Sequence, residues 1–111
     1  ARLLKEQEKC DVVVCISHLG WLKPDEMGDL YFLARSRNVD VLLGGHSHSY
    51  FKELRYVKDL DGKQVPVDQN GKNAVYVGKL SLRLSNDKLS TIIKKAYEIL
   101  VVGFLHKYIL L

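Results

Sequence analysis

DVLLGGHSHSYF, residues 40–51, begins as a strand and runs straight into two glycines and a His-Ser-His. An apolar run without polar alternation is expected where both faces of a strand are covered. DVVVCISHLGW, residues 11–21, repeats the layout: an aspartate, an apolar run, a small residue and then His18. Two such endings in one short chain need a common explanation, and the segment between them supplies it. Pro24 followed by Asp25 and Glu26 predicts a helix start, and Leu30, Leu33 and Ala34 continue at helical spacing to about Arg37. Asn38 ends that helix, and residues 2–9 (RLLKEQEK) have the composition of an earlier one. The order is helix, strand, helix, strand, with strand starts 29 positions apart. That is a natural βαβ length, so the strands are expected to be parallel with a right-handed crossover. Both histidine loops then leave the carboxyl edge of the sheet, where open α/β sheets bind ligands.

Beyond residue 51 the pattern changes. Residues 52–58 and 63–69 flank DLDG, a hairpin signal. Pro66 places the second of these strands at an edge or a bulge. Residues 74–84 (AVYVGKLSLRL) alternate and read as a further strand, with Asn70-Gly71 as the turn before it. In the tail Leu89, Ile92, Ile93, Ala96 and Leu100 recur at helical spacing, which predicts an amphipathic helix over 88–102. Such a helix should pack loosely, and deleting residues 87–111 should leave the fold of 10–84 intact. The fold class expected is α/β, a parallel βαβ unit followed by antiparallel strands.

Length and composition suit a single soluble domain: 111 residues, 47% hydrophobic, 27% charged, formal charge +4. The lysines and arginines read as a solvated surface, and no basic cluster interleaved with aromatics argues for a nucleic-acid polymer. No apolar run reaches membrane-spanning length. The chain opens Ala-Arg-Leu-Leu, without a signal-peptide pattern, and the expectation is that an upstream part of the same domain precedes it. Cys10 and Cys15 suggest neither a disulfide nor a metal site.

The matched strand endings give the histidines their meaning. Neutral imidazole offers a nitrogen lone pair and is the commonest metal ligand. In an extended segment residues i and i+2 point the same way, so His46 and His48 can face one site with Ser47 turned into its own loop. Gly44 and Gly45 permit a tight turn and close approach, and His18 arrives from the neighbouring strand. Three histidines can hold one metal or supply part of a two-metal site. A lone loop histidine is ordinarily just hydrogen-bonded, and His106 has no context beyond that. Asp25, Glu26 and Asp29 belong to the crossover helix, so carboxylate ligands must come from elsewhere. Cys15, Ser17 and Ser47 are nucleophiles on paper only, since nothing pairs them with a base and an orienting acid.

Ser-His-Leu-Gly at 17–20, Gly-Gly-His-Ser-His at 44–48 and the later DQNGKNAVYVGKLSLRL resemble the calcineurin-like metallophosphoesterases, and within them the 5'-nucleotidase type. The resemblance covers about residues 1–85, read as the C-terminal part of a catalytic domain; residues 86–111 read as a helical tail of uncertain origin. It implies a four-layered α/β/β/α sandwich with a centre of two divalent ions (Zn, Mn, Fe or similar). His18 and His46 match the histidines that bind one metal, and His48 the position that binds the other, where glutamine also occurs. The family's Asp-x-His motif, bridging Asp and Asn-His motif lie before the matched region and are not among these residues.

The resemblance implies a phosphoesterase that hydrolyses phosphate monoesters, 5'-nucleotides first, with metal-activated water. A 2',3'-cyclic-nucleotide phosphodiesterase or nucleotide-sugar hydrolase is the rival within the class, and a non-catalytic metal- or partner-binding α/β module the rival outside it. The expected partners are a nucleotide or other phosphate-ester substrate and the N-terminal part of the same domain, and the family resemblance implies a periplasmic or extracellular location. These 111 residues alone are expected to be nearly inactive.

Overall fold

In the computed structural model of the chain, residues 1–85 and 88–98 are described. The elements are α1 (Arg2–Glu6), β1 (Val14–Ile16), α2 (Asp29–Ala34), β2 (Val41–Leu43), β3 (Arg55–Lys58), β4 (Gln64–Asp68), β5 (Tyr76–Ser85) and β6 (Lys88–Glu98). The first four strands form one sheet in the order β1-β2-β4-β3, and β5 and β6 form a two-stranded ribbon. The class is α/β as expected: β1 and β2 pair in parallel through Val14–Val41, Cys15–Leu42 and Ile16–Leu43, and β3–β4 and β5–β6 pair antiparallel.

The core explains this order. β2 (VLL) is apolar and central, with Val41 and Leu42 buried. β4 places Val65 and Val67 on one face by the two-residue period, and both are fully buried. Leu33 of α2, Val39, Phe51 and Val57 complete the cluster, and Cys15, Trp21 and Leu30 pack against it. Trp21 meets Phe51 edge to face at 5.2 Å, a favoured aromatic geometry.

Three sequence expectations need correction here. The crossover helix starts at Asp29, not at Pro24, with Gly28 extended as its N-cap. The Asp29 backbone N–H is held by the Gly20 carbonyl at 2.8 Å, so residues 24–27 stay in the loop that this bond closes. β1 is not covered on both faces: Val14, 44% exposed, and Ile16, 84% exposed, share one face by the two-residue period, while Val13 and Cys15 turn the other face inward. β4 is interior although it holds Pro66. Its ladder with β2 begins at Val67, so the residue lacking an N–H lies just outside that pairing.

The largest correction concerns the tail. Residues 88–98 are a strand, not a helix, paired with β5 from Ser85–Lys88 to Tyr76–Glu98 and shifted in register between Arg83 and Leu84. Residues 99–102 of the expected helix and His106 lie outside the described residues. The packing is not loose either. Lys94 forms an ion pair with Asp68 of β4, the side chains being 3% and 2% exposed, and also donates to the Phe51 carbonyl. Tyr76 of β5 stacks on Tyr50 at 4.0 Å. The ribbon is therefore fastened to the sheet at both strands.

Asp40 anchors the strand starts. Its Oδ2 accepts from the Val13 N–H at 2.8 Å and pairs with Lys5 at 2.7 Å, and Oδ1 pairs with Lys63. Burial pushes this carboxyl up, but the two lysines and the Val13 N–H outweigh it and hold it below the ordinary carboxylate range. A carboxyl so lowered contributes stability that is present above its unfolded pKa and lost as pH falls through its folded one. Asp40→Ala leaves the Val13 N–H without its acceptor and should cost about 1–3 kcal/mol at neutral pH. In urea titrations the gap between variant and parent should narrow once pH drops below about 4. A gap that stays constant across that range would show that the charge contributes nothing.

Candidate metal centre

The two histidine loops start side by side because the sheet hydrogen bonding runs one residue past each strand. The Ser17 N–H donates to the Leu43 carbonyl, and the Gly44 N–H to the Asp68 carbonyl, both at 2.8 Å. His18 and His46 follow at once, and their rings meet with centroids 5.2 Å apart at an interplanar angle of 73°. Both residues are exposed, so two imidazoles face solvent together at the carboxyl edge of adjacent parallel strands. Gly45 leaves room for His18: a Cβ there would stand 3.1 Å from His18 Nδ1, so the ring would have to give by a few tenths of an ångström.

His48 is placed by a different backbone from the one expected. His46 has φ 71° and His48 φ 55°, both left-handed, so the segment is not extended and the i, i+2 argument does not apply. Among the described residues, no group of three or more His, Cys, Asp or Glu is gathered so as to hold a metal ion. The structure brings His18 and His46 together and does not add His48 to them.

A buried polar chain lies under the pair. Ser17 Oγ donates to Asp29 Oδ1 at 2.5 Å. Gln69 Nε2 donates to Asp29 Oδ2 at 3.2 Å, and Ser47 Oγ donates to Gln69 Oε1 at 3.0 Å. Ser47 Oγ also lies 3.0 Å from Ser49 Oγ, as expected for a serine that bonds its own loop, and accepts from the Trp21 N–H at 2.9 Å. Asp29 is fully buried and Gln69 2% exposed. Ser17 is thus committed to a carboxylate and Ser47 to an amide, a hydroxyl and a backbone N–H, which is no arrangement for a nucleophile. Burial first, and then the Asp29 carboxylate, push the Cys15 thiol up and away from the reactive thiolate.

Sequence reasoning sets Asp29 aside as part of the crossover helix and passes over Gln69. A signal for the second is present: Gln69 continues the phase of Val65 and Val67, which puts an amide on the core face of β4. Asp29 carries no comparable signal, because its burial follows from the shifted helix start.

No family model matches the chain. The chain is 31% identical over 68 residues to Protein 5NUC of Lutzomyia longipalpis, covering 61% of this chain and 10% of that protein. It is 33% identical over 98 residues to an apyrase of Tabanus yao, covering 74% of this chain and 17% of that protein. The chain thus spans less than a fifth of either relative's length. Among solved structures it superposes on a 5'-nucleotidase precursor from Thermus thermophilus with a TM-score of 0.69 and 27% identity, covering 88% of this chain and 20% of that one.

Proposed function

We propose that this chain, which corresponds to part of a 5'-nucleotidase-type metallophosphoesterase, supplies His18, His46 and His48 to a two-metal centre that hydrolyses phosphate monoesters of nucleotides. The observation that carries the reading is the meeting of His18 and His46 at the carboxyl edge of β1 and β2. The donor set fits a metal: two solvent-facing imidazoles offer nitrogen to zinc, manganese or iron. When bound, divalent ions polarise phosphate oxygens and activate water.

The chain's own residues do the rest of what is assigned to it. His18 and His46 hold one ion, and His48, on its separate left-handed turn, serves the other. The loops present these rings on a sheet edge open to a phosphate ester, and the carboxylate ligands and the proton donor for the leaving group belong to a preceding part of the same domain. The catalytic-domain part is residues 1–85, extended by β6 on the strength of its pairing with β5. The names of the relatives, a 5'-nucleotidase and an apyrase, favour nucleotide phosphates as substrates over the cyclic-nucleotide and nucleotide-sugar alternatives. A periplasmic or extracellular location belongs to the same proposal. Among the described residues no helix is long and apolar enough to cross a membrane.

The test is a calorimetric titration of the chain with zinc. His18→Ala and His46→Ala should each weaken binding by more than the roughly 10–100-fold that loss of a supporting outer partner costs. His48→Ala should leave this first site within a few-fold. Equal binding by all three variants and the parent would sink the assignment.

A further inference from the structure

We propose that Asp29 and Gln69 are positioning residues that hold the His18 and His46 rings at their 5.2 Å separation. The inference rests on the metal-centre reading for its purpose but not for its geometry. Ser17 immediately precedes His18, and Ser47 immediately follows His46. The hydroxyls of these two serines are joined through the Asp29 carboxylate and the Gln69 amide, with every link between 2.5 and 3.2 Å. A second tie runs from Ser47 to the Trp21 N–H, which belongs to the His18 loop. These bonds tie the two histidine loops to each other.

The polarity of the chain of bonds is determinate. Asp29 accepts at both oxygens, so Gln69 must turn its N–H toward Asp29 and its oxygen toward Ser47. With the amide reversed, two acceptors would face each other in a site closed to water. Buried polar groups that are fully satisfied favour one arrangement, because each alternative strands a donor or an acceptor. Gly44 seals the link from above: a Cβ there would stand 2.6 Å from Asp29 Oδ2 and 2.9 Å from Gln69 Nε2. A fully buried carboxylate and amide beneath two exposed imidazoles is an expensive arrangement for stability alone, since apolar residues could fill the same space. The return lies in how narrowly it fixes the loops above.

The experiment uses the whole chain and two readouts. The first is the nuclear Overhauser contact between the His18 and His46 ring protons without metal, and the second is zinc affinity by calorimetry. Gln69→Ala and Asp29→Ala should lose the ring contact and bind zinc about 10–100-fold more weakly. Asp29→Asn keeps the shape, an acceptor for Gln69 and a donor for Ser17, and should retain the contact. Ser47→Ala removes the link nearest His46 while leaving the Asp29–Gln69 pair buried, so it serves if the larger changes prevent folding; it too should weaken the contact. A ring contact of parental strength in any folded Gln69→Ala, Asp29→Ala or Ser47→Ala protein overturns the proposal. Loss of the contact in these variants, with a parent that binds no zinc, upholds the positioning role and overturns the metal-centre reading instead.

Discussion

Replacing Lys94 with alanine should destabilise the protein by about 3–5 kcal/mol, the cost of stripping one partner from a buried ion pair. Against the roughly 5–15 kcal/mol typical of a whole domain, that is enough to leave much of the population unfolded under mild denaturant. The size of the effect comes from what remains behind. Asp68 is 2% exposed, with Lys94 at Oδ1 and the Asn70 side-chain N–H at Oδ2. Without the ammonium, a carboxylate stays buried against one neutral donor. The same change frees the Phe51 carbonyl, which Lys94 also satisfies. Deleting residues 87–111 should therefore be at least as damaging as Lys94→Ala, against the expectation drawn from a loosely packed tail. Urea titrations of the parent, Lys94→Ala, Asp68→Ala and the double variant measure the coupling. Single losses below about 1 kcal/mol, in the range of exposed pairs, would show that the ribbon is not fastened in this way.

The tail reads wrongly from sequence because two patterns coexist in it. Leu89, Ile92, Ile93, Ala96 and Leu100 satisfy a helical period, yet the β-branched Thr91, Ile92 and Ile93 suit a strand equally well. The choice is made by β5, whose alternation is legible and whose long edge accepts a partner. A local period cannot report that partner, nor that a lysine from a basic-looking segment ends up buried. The β1–α2–β2 unit is legible because its signals agree with one another: apolar runs of strand length, a connection of βαβ length and turn residues between them. The arrival of His18 and His46 at one sheet edge follows from that topology. The placing of His48 does not, because it depends on positive φ at two non-glycine residues, a conformation uncommon outside glycine and with no marker in the sequence. Asp29 and Gln69 escape notice for a related reason: their importance lies in bonds to each other across 40 positions of chain.

Given manganese or zinc, the 111 residues alone should release phosphate from AMP at a rate indistinguishable from the metal in buffer. Among the described residues the donors gathered at the site are imidazoles, which bring no negative charge, and no carboxylate joins them in a metal-holding group. Two divalent cations about 3.5–4 Å apart repel strongly, and only anionic ligands between or around them offset this. One ion is therefore the most that His18 and His46 should retain at useful affinity. A single ion leaves the attacking and leaving oxygens without the clamp that two-metal hydrolysis requires. The groups that could stand in are already committed. Asp29 is closed beneath Gly44 with both oxygens bonded, and Ser17 and Ser47 are held in the chain of bonds that it anchors. General-acid help to the leaving group is typically worth about 10²–10⁴-fold, and none of these residues is free to give it. Phosphate assays on the parent, His46→Ala and His48→Ala should thus give three flat traces while zinc titration still separates His46→Ala from the parent. Robust turnover by the parent that vanishes in both variants would show that the chain completes a catalytic centre by itself or with a second copy, and the division of ligands proposed above would have to be abandoned.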